Sequence, residues 1–294
     1  GLAFATKGIG PFGAASASSG KIFDLNHHQH WDPGFRVGLG YTFEHDGWDL
    51  YLNYTWFRNS RDHDHDDDDE EEEEVAVGNT TLFDVLGNPG GFNNVSEAKA
   101  RWKHLLYQTL DLEFGRWSWL GKYLAFRPHV GARGGFIHQK FKVHYVDTTG
   151  GITGDVTNRH NVDGVGPRAG FNTSWYFCGD WSIFGDAAFA VLWTSYRVKQ
   201  KQTFNPPTGN TPVNVHERIN SVKTVLDLGL GLRWEYYGCN NRWHMALELG
   251  WEHHNWINHN QMVFFVDDIH QGAFVQNHGD LGLYGANFKV RFDF

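Results

Sequence analysis

A chain of 294 residues with a formal net charge of −9 has room for one large all-β domain or two ordinary ones. Taking the eleven carboxylates of one run, residues 62–74, from that charge leaves +2, so neither a generally acidic surface nor a nucleic-acid footprint is indicated. Two cysteines make no disulfide framework and no four-ligand metal site, and no stretch of eighteen apolar residues suggests a membrane helix.

Residues 1–9 read as a first short strand. The next segments alternate strictly between apolar and polar positions, the signature of strands with unlike faces. Over 33–44, Phe35, Val37, Leu39, Tyr41 and Phe43 share one face, with Arg36 and Thr42 on the other. Over 47–60, Trp48, Leu50, Leu52, Tyr54 and Trp56 oppose Asp49 and Asn53. Only "EHDG" separates these two runs, so they form a hairpin.

A long polar connection at 61–96 follows, containing "DHDHDDDDEEEEE". A strand at 97–115 then sets Asp111 and Glu113 against its apolar face. In 122–145, Leu124, Phe126, Val130, Ala132 and Phe136 oppose Arg127, His129 and Arg133. In 162–177, Ala169, Phe171, Trp175 and Phe177 oppose Arg168, Asn172 and Ser174. Residues 181–199 alternate less sharply, with Asp186 inside. In 216–237 a leucine face opposes Lys223, Asp227, Arg233 and Glu235. In 242–256 Trp243, Met245, Leu247, Leu249 and Trp251 oppose Glu248 and Glu252. The last strand, 279–294, sets Phe288, Val290, Phe292 and Phe294 against Lys289 and Arg291.

Charges of both signs on the second face of nearly every strand argue against a sandwich core, where unpaired charge is costly. The runs are long, and Trp and Tyr cluster at their ends. From Trp181 to Trp193, at about 3.4 Å per residue and about 45° tilt, a strand rises roughly 29 Å, the height of a bilayer core. Two aromatic girdles around an apolar band predict a transmembrane antiparallel up-and-down β-barrel of about ten strands, built as one domain over 1–294. The connections alternate: short near 44–47, 115–122, 178–180 and 237–241, long near 10–32, 61–96, 146–161, 200–215 and 257–278.

"DPGFRVGLGYTFEHDGWDLYLNYTWF", with "LDLEFGR", "FRPHVGARGGF" and the terminal "ANFKVRFDF", resembles the Legionella-type major outer membrane protein family, which includes porin-like proteins of environmental chlamydiae. The resemblance implies a pore-forming protein of the Gram-negative outer membrane, a homo-oligomer with a trimer as one candidate, and no catalytic residues. Relatives of this type carry a further apolar segment ahead of "GLAFA", which leaves twelve strands as the alternative. In such barrels a terminal aromatic, here Phe294, is read by the outer-membrane assembly machinery. The surroundings would be outer-membrane lipid and lipopolysaccharide, with short turns periplasmic and long loops outside.

Within that frame the inward charges line a narrow lumen: Arg36, Asp49, Arg127, His129, Arg133, Arg168, Asp186, Lys223, Asp227, Arg233, Glu235, Glu248, Glu252, Lys289 and Arg291. They would allow passive diffusion of small hydrophilic solutes and ions. The alternative is a structural or adhesive surface barrel with a blocked lumen; a lipid hydrolase is a third reading, with His129 and Ser174 inward but no G-x-S-x-G motif. The acidic run is expected to be a disordered outer loop. Its carboxylates Asp62, Asp64, Asp66, Asp68 and Glu70 are also candidate ligands for Ca²⁺ or Mg²⁺, and no other cofactor is expected. The histidine groups His27, His28, His30 and His253, His254, His259 read as solvated loop residues before metal ligands. Cys178 and Cys239 fall in short turns of neighbouring hairpins, where the periplasm permits a disulfide.

Overall fold

The computed structural model describes residues 2–7, 15–16, 31–59, 73–76, 82–83, 97–147, 151–205, 214–238, 243–265 and 274–294. Ten strands build one sheet: β1 (Leu2–Lys7), β2 (Asp32–Thr42), β3 (Trp48–Asn59), β4 (Glu97–Arg116), β5 (Leu124–Asp147), β6 (Ile152–Cys178), β7 (Trp181–Asn205), β8 (Asn214–Gly238), β9 (Trp243–Phe265) and β10 (Phe274–Asp293). Each pairs antiparallel with its sequence neighbours, and β1 also pairs with β10, so the ring of pairings closes. Closure is confined to the outer part of the seam: β1 bridges residues 32–34 of β2 and 282–287 of β10, while 35–42 and 288–293 have no partner on that side among the described residues. The expected all-β, up-and-down architecture of ten strands is what the chain adopts.

Period-2 alternation places the side chains. Leu39, Leu112, Val130, Phe171, Phe189, Leu230, Leu249 and Phe288 stand on the outer wall, all exposed. Their polar neighbours turn inward. Two of the tight turns depend on glycine. Gly47 (φ +65°) and Gly179 (φ +51°) take the left-handed conformation that β-carbon contacts disfavour. In the first, Phe43 N–H donates to the Trp48 carbonyl at 2.8 Å. Trp119, Tyr123, Trp175, Trp181, Tyr236 and Tyr237 are exposed around these turns, forming one girdle; Trp31 and Trp193 are exposed at the other end.

The long connections at 146–161, 200–215 and 257–278 are corrected by the structure. β5 and β6 run on to Asp147 and from Ile152, β7 continues to Asn205, β8 begins at Asn214, and β9 continues to Phe265. The alternation persists there but its polarity flips. On β5, Phe141, Val143 and Tyr145 are buried inside while Lys140, Lys142 and His144 face out. Above the lipid, water surrounds the wall, so the hydrophobic effect drives apolar groups inward. An apolar outer face therefore marks only the membrane-crossing part of each strand.

Within the expected disordered stretch 61–96, Glu73–Ala76 pairs with β4 and Leu82–Phe83 pairs with Ala15–Ser16. The rest of that stretch lies outside the described residues. Trp256 is a second correction. Like the other tryptophans at the ends of the apolar runs it is expected in a girdle, but it is fully buried inside. It shares parity with Glu248, Glu252 and His254, and a bulge at Asn258 (φ 53°) then brings His259 inward too.

Candidate functional site

The barrel interior has two zones. The zone between the girdles holds the charges that the alternation turns inward. Nearest the short turns, Arg291 Nε donates to Asp293 at 2.7 Å, and His244 Nδ1 lies 2.7 Å from the same carboxylate. Glu235 is 3.8 Å from His244. Glu248 accepts from Arg233 Nε at 2.9 Å and lies 3.4 Å from Lys289 Nζ. Arg127 Nε lies 3.0 Å from both oxygens of Asp49, and its Nη1 reaches Glu113 at 3.2 Å and Asn172 at 2.8 Å. Asn172 in turn donates to Asp186 at 2.7 Å.

Further out, Arg133 donates from Nε to Asp111 at 2.5 Å, and its Nη2 meets Asp227 at 2.7 Å. Arg168 bridges Asp227 and Glu113. His254 stands between Asp227 (2.7 Å) and Glu252 (3.2 Å). Arg36 forks onto Glu252 with both distances at 2.8 Å, and Asn287 donates to the same carboxylate. These pairs join strands that are not hydrogen-bonded neighbours: Arg36 lies on β2 and Glu252 on β9. Removing two charges from water costs several kcal/mol per ion, which only such multiple pairing offsets.

The predicted inward residues are thus brought together in three groups, around Asp293, around Glu248, and around Glu113 and Asp227, with three qualifications. His129 lies 3.7 Å from Glu113 without a hydrogen bond. Lys223 joins no carboxylate there; its Nζ donates to the Asn258 carbonyl at 2.5 Å. Lys289 and Arg291 remain partly open to water. Ser174 accepts from Arg233 at 2.7 Å, and His129 makes no hydrogen bond to it, so these two form no catalytic pair.

The second zone is apolar. Phe57, Tyr107, Ile137, Leu192, Val225, Trp256, Leu281 and Leu283 form one buried cluster across the interior. The Trp256 ring rests over Gly135, where any Cβ would collide with the indole. Its Nε1 donates to the Tyr107 hydroxyl at 3.4 Å. Beyond this layer, His160, Tyr196 and His259 meet with ring centroids 5.2–6.0 Å apart. Burial pushes His160 down to about 3, and it lowers His259 as well, with the nearby Lys223 charge adding to both. The periodic signal for Trp256 was present in its parity; nothing in spacing alone brought His160 to His259.

The acidic candidates Asp62, Asp64, Asp66, Asp68 and Glu70 lie outside the described residues, as do His27, His28 and His30. Among the described residues no group of three His, Cys, Asp or Glu is placed to hold a metal. His253 is half-buried on the outer wall, while His254 and His259 are buried inside. Cys178 is exposed and unbridged among the described residues, and Cys239 lies outside them. Phe294 is fully exposed at the end of β10.

Compared with known proteins, residues 11–294 match the family described as Legionella pneumophila major outer membrane protein precursor. No curated protein matches the chain.

Proposed function

The chain belongs to the family of the Legionella pneumophila major outer membrane protein precursor, and from that premise we propose that it is a narrow, gated pore for small ions and hydrophilic solutes. The observation that carries this is the charge network at membrane depth, to which every strand from β2 to β10 contributes. A barrel that served only as an anchor would gain more from apolar filling than from buried ion pairs. Paired charges also present both signs to a passing solute, which suits small ions of either sign. On this reading the apolar cluster around Trp256 is the gate, since hydrophobic constrictions stop conduction by dewetting.

A second reading, a surface barrel with a filled lumen, is favoured by that same layer and by the near-complete burial of Arg133 at 2% exposure. Single-channel recording in planar bilayers separates them. The gated pore shows small, infrequent steps in the native protein, and Trp256→Ala makes them more frequent or larger. Folded protein that stays silent in both forms leaves the surface barrel.

A further inference from the structure

The outer wall of β5–β8 changes character beyond the upper girdle. Phe136, Val165, Trp193 and Val222 end the apolar bands facing out on these four strands, and all are exposed; among the described residues only Val146, at the tip of β5, is an outward apolar residue beyond them. Four to six residues further along each strand, outward positions turn basic. Register places Lys140 directly opposite Arg159, Arg159 opposite Lys199, and Lys199 opposite His216. Arg197 lies opposite Arg218 on the adjacent line. Like charges directly across a ladder repel. The nearby acids are already engaged: Asp163 by Arg197, and Asp155 by Lys142 at 3.1 Å and His144 at 2.8 Å. Among the described residues no ion pair holds Lys140, Arg159, Lys199 or Arg218.

The placement is specific. Four to six residues, at about 3.4 Å each and about 45° tilt, put these cations roughly 10–14 Å above the ends of the apolar bands. That exceeds a plain phospholipid headgroup, which adds about 5–8 Å per side to the hydrocarbon core. It matches a larger headgroup whose phosphates stand off on sugars. Three strand spacings make the patch about 14 Å wide, enough for more than one phosphate. The outer ends of β9 and β10 differ: there the exposed Asn258 donates its backbone N–H to Asp280 at 2.7 Å.

We propose that this sector, centred on Lys140, Arg159 and Lys199 with Arg197 and Arg218, binds phosphorylated glycolipid headgroups of the outer leaflet, whose acyl chains lie against Trp193 and its apolar neighbours. The site depends on the barrel's place in the outer membrane and not on conduction.

The test uses the folded full chain in detergent micelles, titrated with bisphosphorylated lipid A and followed by native mass spectrometry. The triple variant K140Q/R159Q/K199Q binds about tenfold or more weakly than the native chain, because each surface cation near anionic lipid contributes on the order of 1 kcal/mol. The control R116Q/K122Q, at the opposite rim, binds as the native chain does. Dephosphorylated lipid binds the native chain as weakly as lipid A binds the triple variant. Equal binding by native and triple variant overturns the proposal, as does equal binding of the dephosphorylated lipid. Complete displacement of lipid A by millimolar inorganic phosphate overturns it in favour of a free-anion site. Retained heat-shifted gel mobility certifies each variant as folded; should the triple variant not fold, Arg159→Gln alone carries the same comparison.

Discussion

Arg133 shares its guanidinium between Asp111 and Asp227 while almost sealed from water. Replacing it by leucine leaves two carboxylates buried without their main cation. Loss of one partner of a buried pair costs about 3–5 kcal/mol, so Arg133→Leu should lower the urea midpoint of the folded barrel by that equivalent. His160 and His259 work in the opposite sense. Both are buried, both sit past the membrane-crossing part of their strands, and burial keeps both neutral. The unfolded chain takes up these protons near pH 6.5, the folded barrel only far lower. Below pH 6.5 the unfolded state therefore binds more protons, and stability falls as pH falls; above it the two histidines add no slope. At pH 5 the loss from His160 should approach about 2 kcal/mol, and His259 adds to it in the same direction. Hydrogen exchange of the outer parts of β6 and β9 at pH 5 and pH 7.5 measures it, and H160Q/H259Q should flatten the difference.

At the scale of the strand, one backbone periodicity serves two solvents. β7 carries Trp181, Ile183, Phe189 and Trp193 outward over its first half, then Arg197, Lys199 and Lys201. Its inward face is mixed throughout, with Ser182, Phe184 and Asp186 in the first half and Leu192, Tyr196, Val198 and Gln200 in the second. The hydrogen-bond ladder does not register the change, since β6 and β7 pair without a break from Thr153–Asn205 to Val165–Trp193. What changes is the medium outside, and each side chain's preferred side follows it. β1 is the exceptional element. It is the shortest barrel strand, six residues, yet it alone joins β10 to β2. Deleting residues 2–7 unpairs residues 32–34 of β2 and 282–287 of β10 and removes the only bridge between them among the described residues; unpaired backbone groups in lipid cost several kcal/mol each. Such a truncation should abolish heat-shifted gel mobility after refolding in detergent.

For the whole molecule, a ten-strand ring lies just above the size at which side chains alone fill a barrel. Here they come close to doing so: charges occupy the membrane zone, and Phe57, Tyr107, Trp256, Leu281 and Leu283 cross the interior above it. In the proposed pore, conduction would then depend on side-chain movement in one layer rather than on the bore of the ring. This is why Trp256→Ala, which removes the indole over Gly135, is the informative change for the pore and the basic sector of β5–β8 is not.

Fold class, strand number, pairing order and the inward set of charges were all legible in the sequence, because alternation is a local, period-2 property and lipid demands an apolar outer face. Arg127, Asp227 and Glu252 could be assigned to the lumen from parity alone. Their partners could not: Arg36 meets Glu252 across 216 positions of chain, and only barrel closure brings the two walls together. The same holds for the extent of the strands. An apolar outer face vanishes where the membrane ends, so the sequence pattern stopped there while the ladder continued. The meeting of Trp256 with Gly135 and Tyr107 inside the barrel, and the alignment of Lys140, Arg159 and Lys199, were decided by tertiary register, which sets what each side chain faces.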